Sequence, residues 1–181
     1  MAERRAAALS LDQGLLAELL GRAELRELLD PAVLAEVESE LQRLTPERRA
    51  RDAEGIADLL RQLGPLTTAE IIARTREEAD VTTGLDHLQR TRRIVTLRMA
   101  GEDRWAGIED VGRLRDALGV PVPPGTPDAF TDPVADPLAD LVARFARTHG
   151  PFTTAEVAER LGLGTAVASL TLQRLAAQGR V

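Results

Sequence analysis

Gly150-Pro-Phe-Thr-Thr-Ala-Glu-Val-Ala-Glu-Arg-Leu-Gly162 decides the fold, because the chain carries the same phrase earlier as Gly64-Pro-Leu-Thr-Thr-Ala-Glu-Ile-Ile-Ala-Arg74. Each copy is a helix-start signal. Thr67 and Glu70, like Thr153 and Glu156, stand at the T-x-x-E spacing of a capping box, in which the threonine hydroxyl accepts from the N3 amide and the glutamate reaches back to the cap amide. Leu66 and Phe152 precede the caps, and Ile71 and Val157 lie four residues on, so each pair can close a hydrophobic staple. The correspondence continues downstream, where the Leu85–Ile94 stretch falls over Leu172–Val181. Two copies of one supersecondary unit are therefore expected.

Working outward, Ile56, Leu59, Leu60 and Leu63 make an amphipathic helix before the first phrase. The helix capped by Thr67 is expected to run to about Glu77, and a third helix to cover Val81 to Thr91. The period then changes. Ile94–Met99, Gly101–Asp103 and Arg104–Ile108 read as strand, turn and strand. Three helices followed by a β-hairpin make a winged helix-turn-helix, and Glu109 to Gly119 adds one more helix. The second copy starts near Pro137, with Leu138, Leu141, Val142 and Phe145 on its first helix, Thr153 capping the second and Thr165 starting the third. It ends at Val181, where the wing of the first copy would begin. A unit without a hairpin cannot cover its own core, which predicts a segment of something longer. Arg92 also stands where the second copy has Gly179; since glycine there ends helix three with φ > 0, the first copy's exit is expected to differ.

Ahead of the repeats, residues 11–21 read as a short helix with Leu15, Leu16, Leu19 and Leu20, and Glu24 to Leu29 as a further turn. Asp30 and Pro31 start a helix to about Leu44, with Leu34, Val37, Leu41 and Leu44 on one stripe. The expected fold class is mainly α with small β-hairpin wings: tandem winged helix-turn-helix domains preceded by a helical segment. The expected divisions are a helical segment 1–50, a first winged helix 51–119, a proline-rich connector 120–136 and a second winged helix 137–181, cut before its wing.

Composition excludes whole classes of chemistry. The 181 residues contain no cysteine and no lysine, so all 23 basic residues are arginine. A P-loop, which requires G-x-x-x-x-G-K-[ST], and a Schiff-base lysine are both impossible here. With His87 and His149 as the only histidines, no metal site is expected. The adjacent carboxylates Glu77/Glu78 and Glu102/Asp103 fall at a helix end and a hairpin tip, so no catalytic residues are assigned. No apolar run is long enough to span a bilayer, no signal peptide opens the chain, and a cytoplasmic location is the default.

Net charge is −6, and acids outnumber arginines in each of the stretches 1–50, 51–119 and 120–181. Contact with a polyanion must then come from local groups. In a helix-turn-helix the third helix enters the major groove. With Leu85 and Leu88 facing the core, Thr83, Asp86, His87, Gln89 and Arg90 point outward, and Arg92, Arg93, Arg98 and Arg104 follow on the wing. In the second copy Thr165, Ser169, Gln173, Arg174 and Arg180 are the outward set. The nucleic-acid candidates are Arg90, Arg92, Arg93, Arg98, Arg104, Gln173, Arg174 and Arg180. Trp105 could stack on a base or pack on its own domain, the commoner fate of a lone wing tryptophan. Leu170 points to the open side of the last helix, which suggests burial against another domain.

These residues also carry a resemblance. Ala146–Gly164, with Leu25–Pro31, Arg49–Gly55, Arg113–Pro121 and Pro133–Pro137, is similar to a region of the large helicase-related (Lhr) proteins of bacteria. The resemblance covers nearly the whole chain and implies a piece of the C-terminal extension that follows the helicase core. It implies a parent enzyme that translocates on single-stranded DNA with ATP, unwinds duplexes including RNA:DNA hybrids, and acts in DNA repair. The ATP and Mg of that enzyme belong to a core absent from this sequence, so no cofactor is expected in the segment itself. The extension is implied to be a string of winged helices, similar in architecture to a class of winged-helix DNA glycosylases, but no residue pair here matches glycosylase chemistry. The expected function is thus non-catalytic: a tandem winged-helix segment of a helicase that positions nucleic acid or neighbouring domains. Its expected partners are DNA or an RNA–DNA hybrid, other domains of the same protein, and a second copy. Two alternatives stand beside it. A purely architectural module predicts exposed apolar faces, and a stand-alone transcription regulator predicts a complete second wing and a more basic third helix, neither of which the sequence has.

Overall fold

The computed structural model describes residues 30–181, so the helices expected over 11–21 and 24–29 lie outside the described residues. Residues 37–181 form one compact unit; the residues before them belong to another, of which 30–36 are described. Eight α-helices and one two-stranded sheet are present among the described residues. Helix α1 (Pro31–Leu41) begins with proline at its first position, where the missing N–H costs nothing, and the Asp30 carboxylate accepts from the Ala32 amide at 2.8 Å.

Helices α2 (Ala53–Leu63), α3 (Thr68–Ala73) and α4 (Val81–Arg90) form the first three-helix group. Asp52, Thr67 and Asp80 cap them through the amides of Gly55, Glu70 and Thr83. The box is complete at α3, where the Thr67 amide donates to Glu70 at 2.7 Å. Ile56, Leu59, Leu60, Leu66, Ile71, Leu85, Leu88 and Ile94 are buried together as its core. Helix α3 stops at Ala73 and does not reach Glu77. Backbone pairing is the reason: the Ala50 amide donates to the Arg74 carbonyl at 2.8 Å, and the Arg76 amide donates to the Ala50 carbonyl at 2.9 Å. Those bonds draw the chain out of the helix into a parallel bridge.

Strands β1 (Ile94–Met99) and β2 (Glu102–Gly107) pair antiparallel with Ile94 opposite Gly107 and Met99 opposite Glu102. The two-residue turn between them needs φ > 0 twice, and Ala100 (52°) and Gly101 (83°) supply it. On the far side of β2, Leu66 and Trp105 exchange backbone hydrogen bonds of 3.0 and 2.8 Å, so the sheet is closed onto the start of α3. Three helices and this hairpin make a winged helix. Helix α5 (Val111–Leu118) follows and ends at Gly119 in the left-handed conformation. The proline-rich stretch then packs along α5. Arg115 donates to the Thr131 carbonyl at 2.7 Å, Val134 donates its amide to Asp116 at 2.9 Å, and a Cβ at Gly112 would lie 3.0 Å from the Phe130 carbonyl oxygen.

Helices α6 (Pro137–Thr148), α7 (Thr154–Leu161) and α8 (Thr165–Ala177) form the second group, with the Thr153–Glu156 box again complete. This group has no hairpin of its own, yet its core is covered. Leu97, Met99 and Ala106 from the first group's hairpin, with Leu114 and Val120, are buried with Leu141, Val142, Phe145, Val157, Leu161 and Leu175. The hairpin is two-faced: Ile94 and Trp105 turn to the first core, Leu97, Met99 and Ala106 to the second. Its tip is seated so closely that a Cβ at Gly162, in the turn between α7 and α8, would lie 3.2 Å from the Ala100 Cα. The second group's core is thus covered by the first group's hairpin and not by a wing of its own.

Two polar connections reinforce the union. Asp110, 2% exposed, accepts from Arg144 of α6 through both carboxylate oxygens and from Arg113. Arg160 of α7 donates to Glu70 at 2.5 Å and to the Pro65 carbonyl at 2.9 Å, so the glutamate of the first capping box also binds the second group.

Candidate nucleic-acid interface

The third helix of the first group ends in the surface the sequence singles out. Leu85 and Leu88 are buried under α4, which leaves Asp86, His87, Gln89 and Arg90 exposed. Thr83 is held at the helix start, its hydroxyl 2.6 Å from Asp80. Among the described residues Arg90 spans back to the Asp86 carbonyl at 3.3 Å and pairs with no carboxylate. Arg92, two residues on and just past the helix, is exposed and makes no side-chain bond among the described residues.

Arg92 is also left-handed, with φ 57°. The expectation that the two copies leave helix three differently is corrected here. Arg92 and Gly179 (φ 65°) occupy the same conformation, and the closing bonds match: Arg93 to the Leu88 carbonyl and Arg180 to the Leu175 carbonyl, both 2.9 Å. This is the double bonding of a Schellman ending, which fixes the backbone whatever residue occupies the site. Arg43, Ala100 and Asp136 are the other described residues with side chains at positive φ.

Other candidates are engaged elsewhere. Arg93 forms a two-pronged pair with Glu54, a hydrogen bond that raises the arginine above its ordinary range and lowers the glutamate. Arg174 does the same with Asp136 at 2.7 and 2.8 Å; the guanidinium hydrogen bond holds that carboxyl below its usual range. Arg104 is corrected outright: at 5% exposure it is a buried residue of β2, bound to Glu102 at 2.7 Å, and it presents nothing to a ligand at the surface. Arg98 is exposed and leans on Asp103 at 3.3 Å and on the Gly101 carbonyl at 2.9 Å. Arg180 lies 3.5 Å from Asp140, and exposed Gln173 touches Ser169 at 3.5 Å. Exposed pairs of this kind are weak in water, so they give way readily to a better anion.

The structure therefore brings Arg90 and Arg92 together at one helix end, with Gln89 and Arg98 nearby, and sets Arg174, Gln173 and Arg180 apart on the second group. A groove of about 550 Å³ opens beside β1, with Gln89, Arg92 and the strand on one side and residues 121–126 on the other. Trp105 packs on its own domain, its indole donating to the Thr68 hydroxyl at 3.0 Å. His149 stacks on Phe145 with ring centroids 3.7 Å apart. Among the described residues no cluster of three histidines or acids is placed to hold a metal ion.

The third helix of the second group is different in kind. Helix α8 exposes Val167 (44%) and Leu170 (67%) where a groove-reading helix would carry polar groups.

Comparison with known sequences places the first winged helix in a family. A family model described as the winged-helix domain of large helicase-related protein matches residues 27–133. The chain belongs to this family. It is 58% identical over 181 residues to a Mycolicibacterium smegmatis protein named Lhr helicase/probable uracil glycosylase, and 44% identical over 182 to the Escherichia coli Lhr helicase/uracil glycosylase. All of the chain is covered in both alignments, and it spans 12% of the length of each of these Lhr proteins. Among the described residues, no helix is long and apolar enough to cross a membrane.

Proposed function

We propose that this chain is a non-catalytic tandem winged-helix segment of an Lhr-type helicase, divided at 1–50, 51–119, 120–136 and 137–181, that positions nucleic acid beside the motor. Arg90 and Arg92 contact phosphate, and DNA or an RNA–DNA hybrid is the partner. The observation that carries this reading is that Arg90 and Arg92, exposed and without an ion-pair partner among the described residues, stand at the C-terminal end of α4, the helix that enters the groove in this fold class. Strain supports it, since a left-handed side-chain-bearing residue is kept at Arg92 where the other copy uses glycine. Arg98, Gln173 and Arg180 are secondary contacts; Arg93 and Arg174 would have to leave Glu54 and Asp136 first. The ATPase, its Mg and the glycosylase activity in the relatives' names are assigned to parts of the longer protein outside this segment, and the parent works in the cytoplasm in DNA repair.

A second reading, in which the segment is architectural and joins domains or copies, is favoured by the exposed Val167 and Leu170 of α8. Anisotropy with a labelled oligothymidylate at low salt separates the two. Arg90→Glu is expected to weaken binding at least tenfold and Arg174→Ala far less. Absence of binding by the unmodified chain refutes the contact and leaves the architectural reading.

A further inference from the structure

Strand β1 has a free edge. The ladder parity shows which groups face it. Ile108 donates its amide to the Arg93 carbonyl, so Val95, Leu97 and Met99 bond to β2, and the N–H and C=O of Thr96 and Arg98 point away from it. The same parity turns Trp105 outward on the other side of the sheet, where Leu66 takes both of its bonds. Thr96 and Arg98 have no such neighbour: no backbone partner faces them among the described residues. Their edge lies along the groove of about 550 Å³ whose far wall is 121–126. Three of those six residues are prolines, which have no N–H to offer. An unpaired edge is a template for another strand, and proteins normally cover or blunt it.

The groove also has a sign. Arg92 and Arg98 line it, Arg98 leaning on Asp103 at the hairpin tip, no acid among the described residues lines the groove itself, and Ile94, Leu97, Ile108 and Val122 supply an apolar floor. Its size falls within the range of ligand clefts.

We propose that this groove captures an extended acidic peptide of a partner protein, which adds to β1 as a further strand with carboxylates toward Arg92 and Arg98, so that peptide and nucleic acid compete for Arg92. Main-chain pairing with the edge would give affinity, and the flanking arginines would select charge. A nucleic-acid strand fits less well on two counts. Phosphates accept but cannot donate, so the outward carbonyls of Thr96 and Arg98 would face them unsatisfied. Among the described residues no aromatic side chain lines the groove to stack a base.

The probe is a synthetic Glu-Val-Thr-Val-Thr-Val-Glu peptide with blocked ends, added to the 181-residue chain and followed by amide hydrogen exchange and titration. Exchange at Thr96 and Arg98 is expected to slow at least tenfold. Thr96→Pro removes an N–H that the β2 ladder does not use, a position where an edge strand accepts proline, and should abolish binding. The double variant Arg92→Glu with Arg98→Glu changes exposed groups only and should weaken binding at least tenfold; it decides the matter if the proline variant does not fold. A peptide with lysine at both ends should not bind. Unchanged exchange at these amides overturns the proposal. So does protection of the same amides by oligothymidylate but not peptide, or by self-association of the chain at rising concentration. Arg90 is not part of the groove, so Arg90→Glu should leave peptide binding intact and tell this site from the phosphate contact.

Discussion

Replacing Asp110 by alanine should be among the most damaging single changes in the chain. Its side chain is 3% exposed and that of Arg144 14%. One carboxylate oxygen accepts from Arg144 Nη2 at 2.8 Å while both also serve the short contacts to Arg144 and Arg113. Removing the carboxylate leaves the Arg144 guanidinium buried without its hydrogen-bonded counter-charge and facing a second cation. Breaking a buried pair from one side costs about 3–5 kcal/mol, a large part of the roughly 5–15 kcal/mol that holds a typical domain together. With a urea m-value of about 2 kcal/mol/M, the midpoint should fall by about 2 M, read by circular dichroism at neutral pH. The companion variant, Asp110→Leu with Arg144→Met, should recover most of the loss, because a buried pair exchanged for apolar groups of similar volume is often neutral. Arg113 can then turn to Asp140, already 3.5 Å away. A midpoint shift below about 0.5 M for Asp110→Ala would refute the reasoning.

Three further outcomes follow from the same contacts. Gly162→Ala places a methyl 3.2 Å from the Ala100 Cα at φ 67° and should cost about 1–3 kcal/mol, with faster amide exchange at the hairpin tip as its local signature. Arg92→Gly relieves a left-handed strain of about 1–2 kcal/mol against roughly 0.5–1 kcal/mol of added chain entropy, so Tm should rise by about 1–4 °C while oligothymidylate binding weakens. Burial pushes the Glu70 carboxyl up, but the hydrogen bond and charge of Arg160 and the Thr67 amide outweigh it and hold the group below its ordinary range. Its contribution is then complete above the ordinary carboxylate range and lost as pH falls through the lowered value. Urea midpoints at pH 6 and pH 3 should therefore differ less in Glu70→Gln, which should also lose on the order of 1 kcal/mol at pH 7.

Much of the fold was legible because its signals are local. Thr67/Glu70 and Thr153/Glu156 announce two helix starts within four residues each, and the change of period at Ile94 announces the hairpin. The second use of the hairpin was legible in principle and missed. Val95, Leu97 and Met99 put an apolar stripe on one face of β1 while Ile94 and Trp105 occupy the other, and a free wing needs only one buried face. Helix α3's early stop comes from a bridge to Ala50, which no propensity of Arg74 to Glu77 encodes. The site was less legible. Arg90 and Arg92 are exposed, but the pairs that occupy Arg93, Arg174 and Arg160 join residues 39, 38 and 90 positions apart. No spacing rule reaches that far. The free edge beside Arg98 depends on which strand lies outermost, and that too is a tertiary fact.

The most direct test of the account is the salt dependence of single-stranded DNA binding by this chain, measured as log K against log salt. Each phosphate neutralised contributes about −0.7 to the slope. The contact by Arg90 and Arg92 predicts a slope of roughly −1.4 or steeper, which loses about 0.7 in Arg90→Ala and again in Arg92→Ala. Binding that ignores salt, or a slope unchanged by both substitutions, would contradict it.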